Sequence, residues 1–166
     1  MKNIVIIGMP GSGKTTFGSA LAKRLGREFV DADTYIEERE QQTIPELFAI
    51  SEDRFREAET NSMKELSEKD GIVIATGGGV IKRPENIELL KRTGVVIFLD
   101  RSPDDIVGDV VISTRPLLAE GKQKVFDLYN ERIDLYRGAA DIQVTNHGPI
   151  PQVLDTLAGV VEKALA

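Results

Sequence analysis

The sequence contains no cysteine in its 166 residues, so a disulfide framework, a thiolate zinc site and a cysteine nucleophile are all excluded. Long apolar runs are missing too. The opening "MKNIVIIG" holds four consecutive apolar residues after a single lysine, far short of a signal-peptide core or a membrane span, and no later stretch reaches spanning length. Positive charge is in short supply: 21 basic against 27 acidic residues give a formal charge of −6. That balance argues against a duplex-binding surface but leaves room for a small anion in a locally basic pocket. There is one histidine, His147, and its setting in the polar loop "NHGPIP" reads as an exposed loop residue rather than a ligand or catalyst. These features predict a single cytoplasmic domain over 1–166, with neither nucleic acid nor membrane as partner.

What is present is alternation. Continuous Val- and Ile-rich runs at 3–8, 28–31, 72–76, 94–100 and 141–145 read as strands buried on both faces, as in a parallel sheet. Between them lie helical patterns: Phe17, Ala20, Leu21 and Leu25 before Gly26; Ile87 and Leu90 after Pro84; and Val153 to Leu165 at the end. This order predicts an α/β fold of three layers, α/β/α, around a five-stranded parallel sheet, with ligands at the carboxyl ends of the strands. The region 34–70 reads as two helices inserted between the second and third strands. The segment 108–123 has no clean period and reads as a mobile lid.

Motifs should therefore sit just after strands. "GMPGSGKT", Gly8 to Thr15, fits the phosphate-binding pattern G-x-x-x-x-G-K-[ST] between a buried strand and an amphipathic helix, the context that pattern requires. Its glycines let the backbone turn N–H groups inward around phosphate oxygens, with the helix N-terminus behind them. Lys14 would reach the β and γ phosphates and the Thr15 hydroxyl would bind Mg²⁺. A glycine-rich turn that merely starts a helix is the plain structural alternative. A guanine-specific switch protein is disfavoured because Asn-Lys-x-Asp is absent, and the Asp-x-x-Gly at 105–108 does not follow a strand end.

A second pair of residues follows the second strand. In "VDADTYIEE", Asp31 at the strand end can hold the metal, and Asp33 can accept the proton of a hydroxyl as phosphorus is transferred to it. The structural alternative makes Asp33 the N-cap of the next helix, whereas Asp31 has no such role to fill. "TGGG" at 76–79 ends the third strand, where bare backbone allows close approach of a ligand. That strand lacks a terminal acid, which leaves Asp31 as the metal's carboxylate.

Taken together, the cradle, "DAD" (31–33), "FREAE" (55–59), "TGGG" (76–79), "RPLL" (115–118) and "LYR" (135–137) resemble the shikimate kinase family over nearly the whole chain. The resemblance implies a monomeric nucleoside-monophosphate-kinase-like enzyme that uses ATP and Mg²⁺ and passes the γ-phosphoryl group to the 3-hydroxyl of shikimate. It implies nucleotide contacts from Gly11, Ser12, Gly13, Lys14, Thr15, Thr16 and Arg115, and metal contacts from Thr15 and Asp31. Asp33, Lys14 and Arg115 become the catalytic set, Arg115 swinging over the phosphates as the lid closes. Asp33, Arg56, Gly77, Gly78, Gly79 and Arg137 become the shikimate contacts, with Arg56 and Arg137 as guanidinium forks for its carboxylate. The chain departs from the family in lacking the further arginine that usually precedes the lid Arg-Pro and packs on adenine; "NHGPIP" is the remaining expected adenine contact. A gluconate kinase, or a weakly catalytic nucleotide-binding regulator of the same fold, is the alternative.

Overall fold

The computed structural model describes residues 2–112 and 121–166. Five strands form one parallel sheet: β1 (Asn3–Ile7), β2 (Phe29–Asp31), β3 (Val73–Ala75), β4 (Gly94–Asp100) and β5 (Ile142–Thr145), in the spatial order β2-β3-β1-β4-β5. Ile6 stands beside Ala75 on one side and Ile97 on the other, so β1 lies at the centre of the sheet. The chain leaves β1 towards one edge and later crosses to the other, which opens a crevice at the carboxyl end of β1.

Eight helices complete the described chain: α1 (Lys14–Leu25), α2 (Ala32–Glu40), α3 (Ile44–Ile50), α4 (Glu52–Ser67), α5 (Pro84–Thr93), α6 (Pro103–Ile112), α7 (Lys122–Ala139) and α8 (Ile150–Leu165), with a 3₁₀ turn at Val80–Lys82. The strands are apolar without alternation because each face meets helices. Val5, Ile7, Ile74, Val96 and Phe98 pack with residues of α4, α5, α6 and α7, including Met63, Leu66, Leu90, Ile106 and Tyr136. Ile4, Ile6, Val73, Ile97 and Leu99 pack on the other face with Phe17, Leu21, Val153, Leu157 and Val161 of α1 and α8. A third, smaller core of Ile36, Leu47, Phe55 and Ala58 holds α2, α3 and α4 together.

Local signals explain the helix limits. Gly26 adopts φ 67° and ends α1, with the Arg27 N–H returning to the Ala22 carbonyl at 2.8 Å. Thr43 and Glu46 form a reciprocal capping box at the start of α3, and the Ser51 side chain caps α4. The inserted region holds three helices where two were expected; the extra one, α2, starts directly at the end of β2 and has almost no apolar periodicity to reveal it. The expected lid at 108–123 overlaps α6 to Ile112 and α7 from Lys122; residues 113–120, Arg115 among them, lie outside the described residues. Among the described residues, no helix is long and apolar enough to cross a membrane.

Because Ile6 is fully buried at the centre of the sheet, Ile6→Ala should destabilise the protein by about 2 to 5 kcal/mol. Urea unfolding followed by circular dichroism measures this, and a loss below about 0.5 kcal/mol would contradict the assigned packing.

Candidate active site

The crevice at the end of β1 is a cleft of about 900 Å³ that runs from Gly77 and Asp33, past the cradle, to Arg101, Asn146 and Ile150. The cradle is built by backbone conformation. Gly13 sits at φ 97° as the residue before α1, a region open to glycine and costly for other residues. It offers no side-chain cap, and the first turn of α1 carries no acidic residue. The leading N–H groups of α1 therefore keep their positive end for an anion. The Ser12 hydroxyl is buried and has no hydrogen-bond partner, a further polar group left to a ligand. These observations fit a triphosphate.

Lys14 is buried at the start of α1, and its Nζ donates to the Gly8 and Met9 carbonyls, both at 2.8 Å. Burial lowers its pKa from 10.5 to about 8, against the pull of Asp33 and Asp31, with Arg132 adding to the lowering. Asp33 shows the complementary response. Burial raises its carboxyl, Asp31 adds to the rise, and Lys14 and Arg56 oppose it. The cradle lysine and the two aspartates thus share one electrostatic neighbourhood.

Asp31 divides its two oxygens. Oδ1 accepts the Thr34 N–H at 3.1 Å and caps α2, while Oδ2 accepts the Thr15 hydroxyl at 2.9 Å. The capping alternative weighed for Asp33 therefore belongs to Asp31, because β2 ends and α2 begins without an intervening loop. Asp33 falls in the first helical turn and points into the cleft. Two adjacent oxygens 2.9 Å apart match the roughly 3 Å edge of an octahedral Mg²⁺ shell whose bonds are about 2.1 Å. Among the described residues, no group of three His, Cys, Asp or Glu side chains could hold a metal. A cation at Thr15 and Asp31 would complete its shell with phosphate oxygens and water. The Thr76 hydroxyl at the end of β3 is already bonded to the Ile6 carbonyl at 2.8 Å.

The three glycines after Thr76 bring three other elements together. A Cβ on Gly77 would lie 2.9 Å from the Asp33 Oδ1, one on Gly78 would lie 2.7 Å from the Pro10 Cδ, and one on Gly79 would lie 2.5 Å from both terminal nitrogens of Arg56. Arg56 is buried, donates to Glu59 at 2.9 Å and lies 5.0 Å from the centre of the Phe55 ring. Burial pushes the Glu59 carboxyl up, and the Arg56 charge and hydrogen bond hold it back. The Arg56 Nε and Glu59 Oε2 remain unpartnered, so the pair has donor and acceptor capacity to spare.

Arg137 is not brought to this place. It is exposed on α7, and its charge acts on Tyr129. Arg132 is turned inward instead: it is half-buried, its Nε has no partner, and its charge acts on Lys14, Glu52 and Tyr136. The reason is helical phase, since Arg132 lies one turn before the buried Tyr136, whereas Arg137 is rotated from Arg132 by roughly 140°. Sequence reasoning missed Arg132 and Glu59; the i, i+4 spacing to Tyr136 and the i, i+3 spacing from Arg56 were the available signals. His147 is exposed in the loop before α8, and its Nδ1 lies 2.9 Å from the Asp105 carboxylate of α6. The neighbouring Asn146 and Gly148 line the outer end of the cleft.

The family model "Shikimate kinase" matches residues 10–162. A curated shikimate kinase from Clostridium botulinum is 46% identical over 162 residues, covering 97% of this chain and 98% of the relative. The solved structure of shikimate kinase from Acinetobacter baumannii in complex with shikimate superposes with a TM-score of 0.85 at 36% identity, covering 99% of this chain and 93% of the other. Shikimate kinase from Bacteroides thetaiotaomicron gives a TM-score of 0.88 at 33% identity, covering 97% and 98%.

The Lys14 environment sets a pH dependence. Below about 8 the amine is charged in free and nucleotide-bound protein alike; above it, the free protein loses the proton that phosphate binding must restore. Affinity for a nucleoside triphosphate should therefore fall as pH rises from about 8 to about 10, by up to about tenfold per unit. Calorimetric titration measures this, and a flat affinity across that range would contradict the assignment.

Proposed function

The chain belongs to the shikimate kinase family, so its activity is the transfer of phosphate from ATP to shikimate, and from that premise we propose how its own residues divide the work. The observation that carries this division is the meeting of Asp33, Gly77 and the cradle lysine at one end of the cleft, with Arg56 against the nearby Gly79. Backbone N–H groups at Gly11 to Thr16 and the Lys14 amine hold the phosphates and offset the charge of the group in transit. Thr15 and Asp31 would hold Mg²⁺, which when bound supplies charge neutralisation at the phosphate oxygens.

Asp33 accepts a hydrogen bond from the acceptor hydroxyl and takes its proton while that oxygen bonds to phosphorus and the bond to the ADP oxygen breaks. Its carboxyl is raised above the ordinary aspartate range by burial, which suits a group that must receive a proton without leaving an exposed charge behind. Arg56 and Arg132 are the forks for the acceptor carboxylate, Arg132 in place of Arg137. Glu59 fixes Arg56 from behind through the 2.9 Å bond. The 3-hydroxyl of shikimate is the acceptor that this arrangement serves, with Gly77, Gly78 and Gly79 as the floor beneath the ring. Arg115 retains its expected role over the phosphates as part of the same proposal. Asn146, Gly148 and Ile150, with Arg101 and Ile106 opposite, surround the place for the base.

Purified protein given ATP and Mg²⁺ should release ADP with shikimate and not with gluconate or without an acceptor. Asp33→Asn should lower that turnover by about 10²- to 10⁴-fold while ATP binding, read by calorimetry, stays intact. A response to gluconate, or full turnover in the variant, would overturn the reading. Steady-state kinetics separates the two arginines of α7. Arg132→Ala should raise the KM for shikimate about tenfold or more, the loss of a charge-assisted contact of ~1.5 to 3 kcal/mol, while Arg137→Ala stays within about twofold.

A further inference from the structure

Tyr136 is the largest fully buried side chain of the described residues, and it joins the core on one face of the sheet to the glycine loop of the acceptor site. Its ring stacks on Phe98 of β4 with centroids 5.1 Å apart and 20° between planes. Its hydroxyl donates to the Gly78 carbonyl at 2.6 Å, across 58 residues of sequence. Apolar packing would be served equally well by phenylalanine, so the hydroxyl needs its own reason. A buried phenol without a partner would cost about 1 to 3 kcal/mol, and here its partner is the middle glycine of "TGGG".

Gly78 occupies a particular place in that loop. The residue before it borders Asp33 and the residue after it borders the Arg56 guanidinium. A glycine run has more backbone rotations open to it than other residues, so an outside contact can help set its orientation. The Gly78 carbonyl shares a trans peptide plane with the Gly79 N–H, so holding the carbonyl towards α7 turns that N–H the opposite way. The same hydroxyl lies beside Arg132, whose hydrogen bonding and charge act on it against the rise caused by burial. Arg132 and Tyr136 are one turn apart on a single face of α7. One side chain is therefore bound to the acceptor loop and to the Arg132 guanidinium.

We propose that Tyr136 is a positioning residue of the acceptor site, whose hydroxyl sets the Gly78–Gly79 peptide and Arg132 in a common register. The proposal rests on the acceptor reading given above. It predicts that removing the hydroxyl alone affects the acceptor and not the nucleotide, because the cradle is anchored elsewhere, through Lys14 to the Gly8 and Met9 carbonyls and through Asn146 to the Ser12 carbonyl.

The test is steady-state kinetics of Tyr136→Phe beside Phe98→Leu, with thermal unfolding of both. Phe98→Leu loosens the stacking without touching the hydroxyl, so it reports what a purely structural disturbance does. Tyr136→Phe should raise the KM for shikimate about five- to tenfold and leave that for ATP within about twofold. Phe98→Leu, at a similar loss of stability, should change neither ratio. An equal rise in both KM values for Tyr136→Phe, or the same shikimate effect from Phe98→Leu, overturns the proposal. A measurement on the unmutated protein adds to this: saturating shikimate should shift the carbon-13 resonance of the Tyr136 ring carbon bearing the hydroxyl, and no shift counts against it. If Arg132→Ala raises the shikimate KM and Tyr136→Phe does not, the tyrosine proposal fails alone. If neither does, the acceptor reading fails with it.

Discussion

The strand that ends without side chains is the constraint on which the site depends. β3 lies between β1, which leads to the cradle, and β2, which leads to the two aspartates. Neighbouring strands stand nearly 5 Å apart, so groups at the tips of β1 and β2 are separated by about twice that, with the tip of β3 between them. Ordinary side chains there would fill the gap. Gly77, Gly78 and Gly79 leave it open, and Asp33, Pro10 and Arg56 come within van der Waals range of the bare backbone from three directions. A methyl group on Gly79 would collide with the guanidinium of Arg56, and one on Gly77 with the carboxylate of Asp33. The glycines are thus spacers of zero width, and phosphate and acceptor can approach one another over them.

Electrostatics then sets the chemistry within that space. Lys14 loses hydration and would shed its proton more readily than a surface lysine; Asp33 loses hydration and would keep one longer than a surface aspartate. Each opposes the shift of the other, so the two groups respond to one another's charge. The Asp31 carboxylate, beside Thr15, adds negative charge near the phosphate side of the cleft. That charge repels triphosphate unless a cation intervenes, which is a physical reason for a divalent metal at the Thr15 and Asp31 oxygens.

The layered fold was legible because burial on both faces removes alternation: five apolar runs became five strands with limits that agree to within one residue. The cradle was legible because its glycines and lysine are needed in one short segment. Helix phase was not. The segment 108–123 shows no period, so the start of α7, and with it the face presented by "ERIDLYR", could not be assigned. Arg137 was named through the likeness of "LYR" to a family motif, and that likeness carries no helix phase. The capping role of Asp31 was hidden by a similar ambiguity, since it depends on β2 passing into α2 with no loop, a junction that neither element's composition marks.

The remaining polar atoms lead to the same conclusion by another route. Buried side-chain atoms without hydrogen-bond partners are rare in folded proteins, because each costs about 1 to 3 kcal/mol. Six occur among the described residues, and four of them lie on Ser12 of the cradle and on Arg56, Glu59 and Arg132. In a fold free to optimise stability, these would have been paired or replaced by apolar groups. Their positions fall into two groups, one at the phosphate cradle and three on residues near the glycine loop. The cost is carried by the free protein, and ligand oxygens are suited to remove it. Binding energy is then available for orientation, where holding two reactants in line accelerates transfer more than any single charged group can.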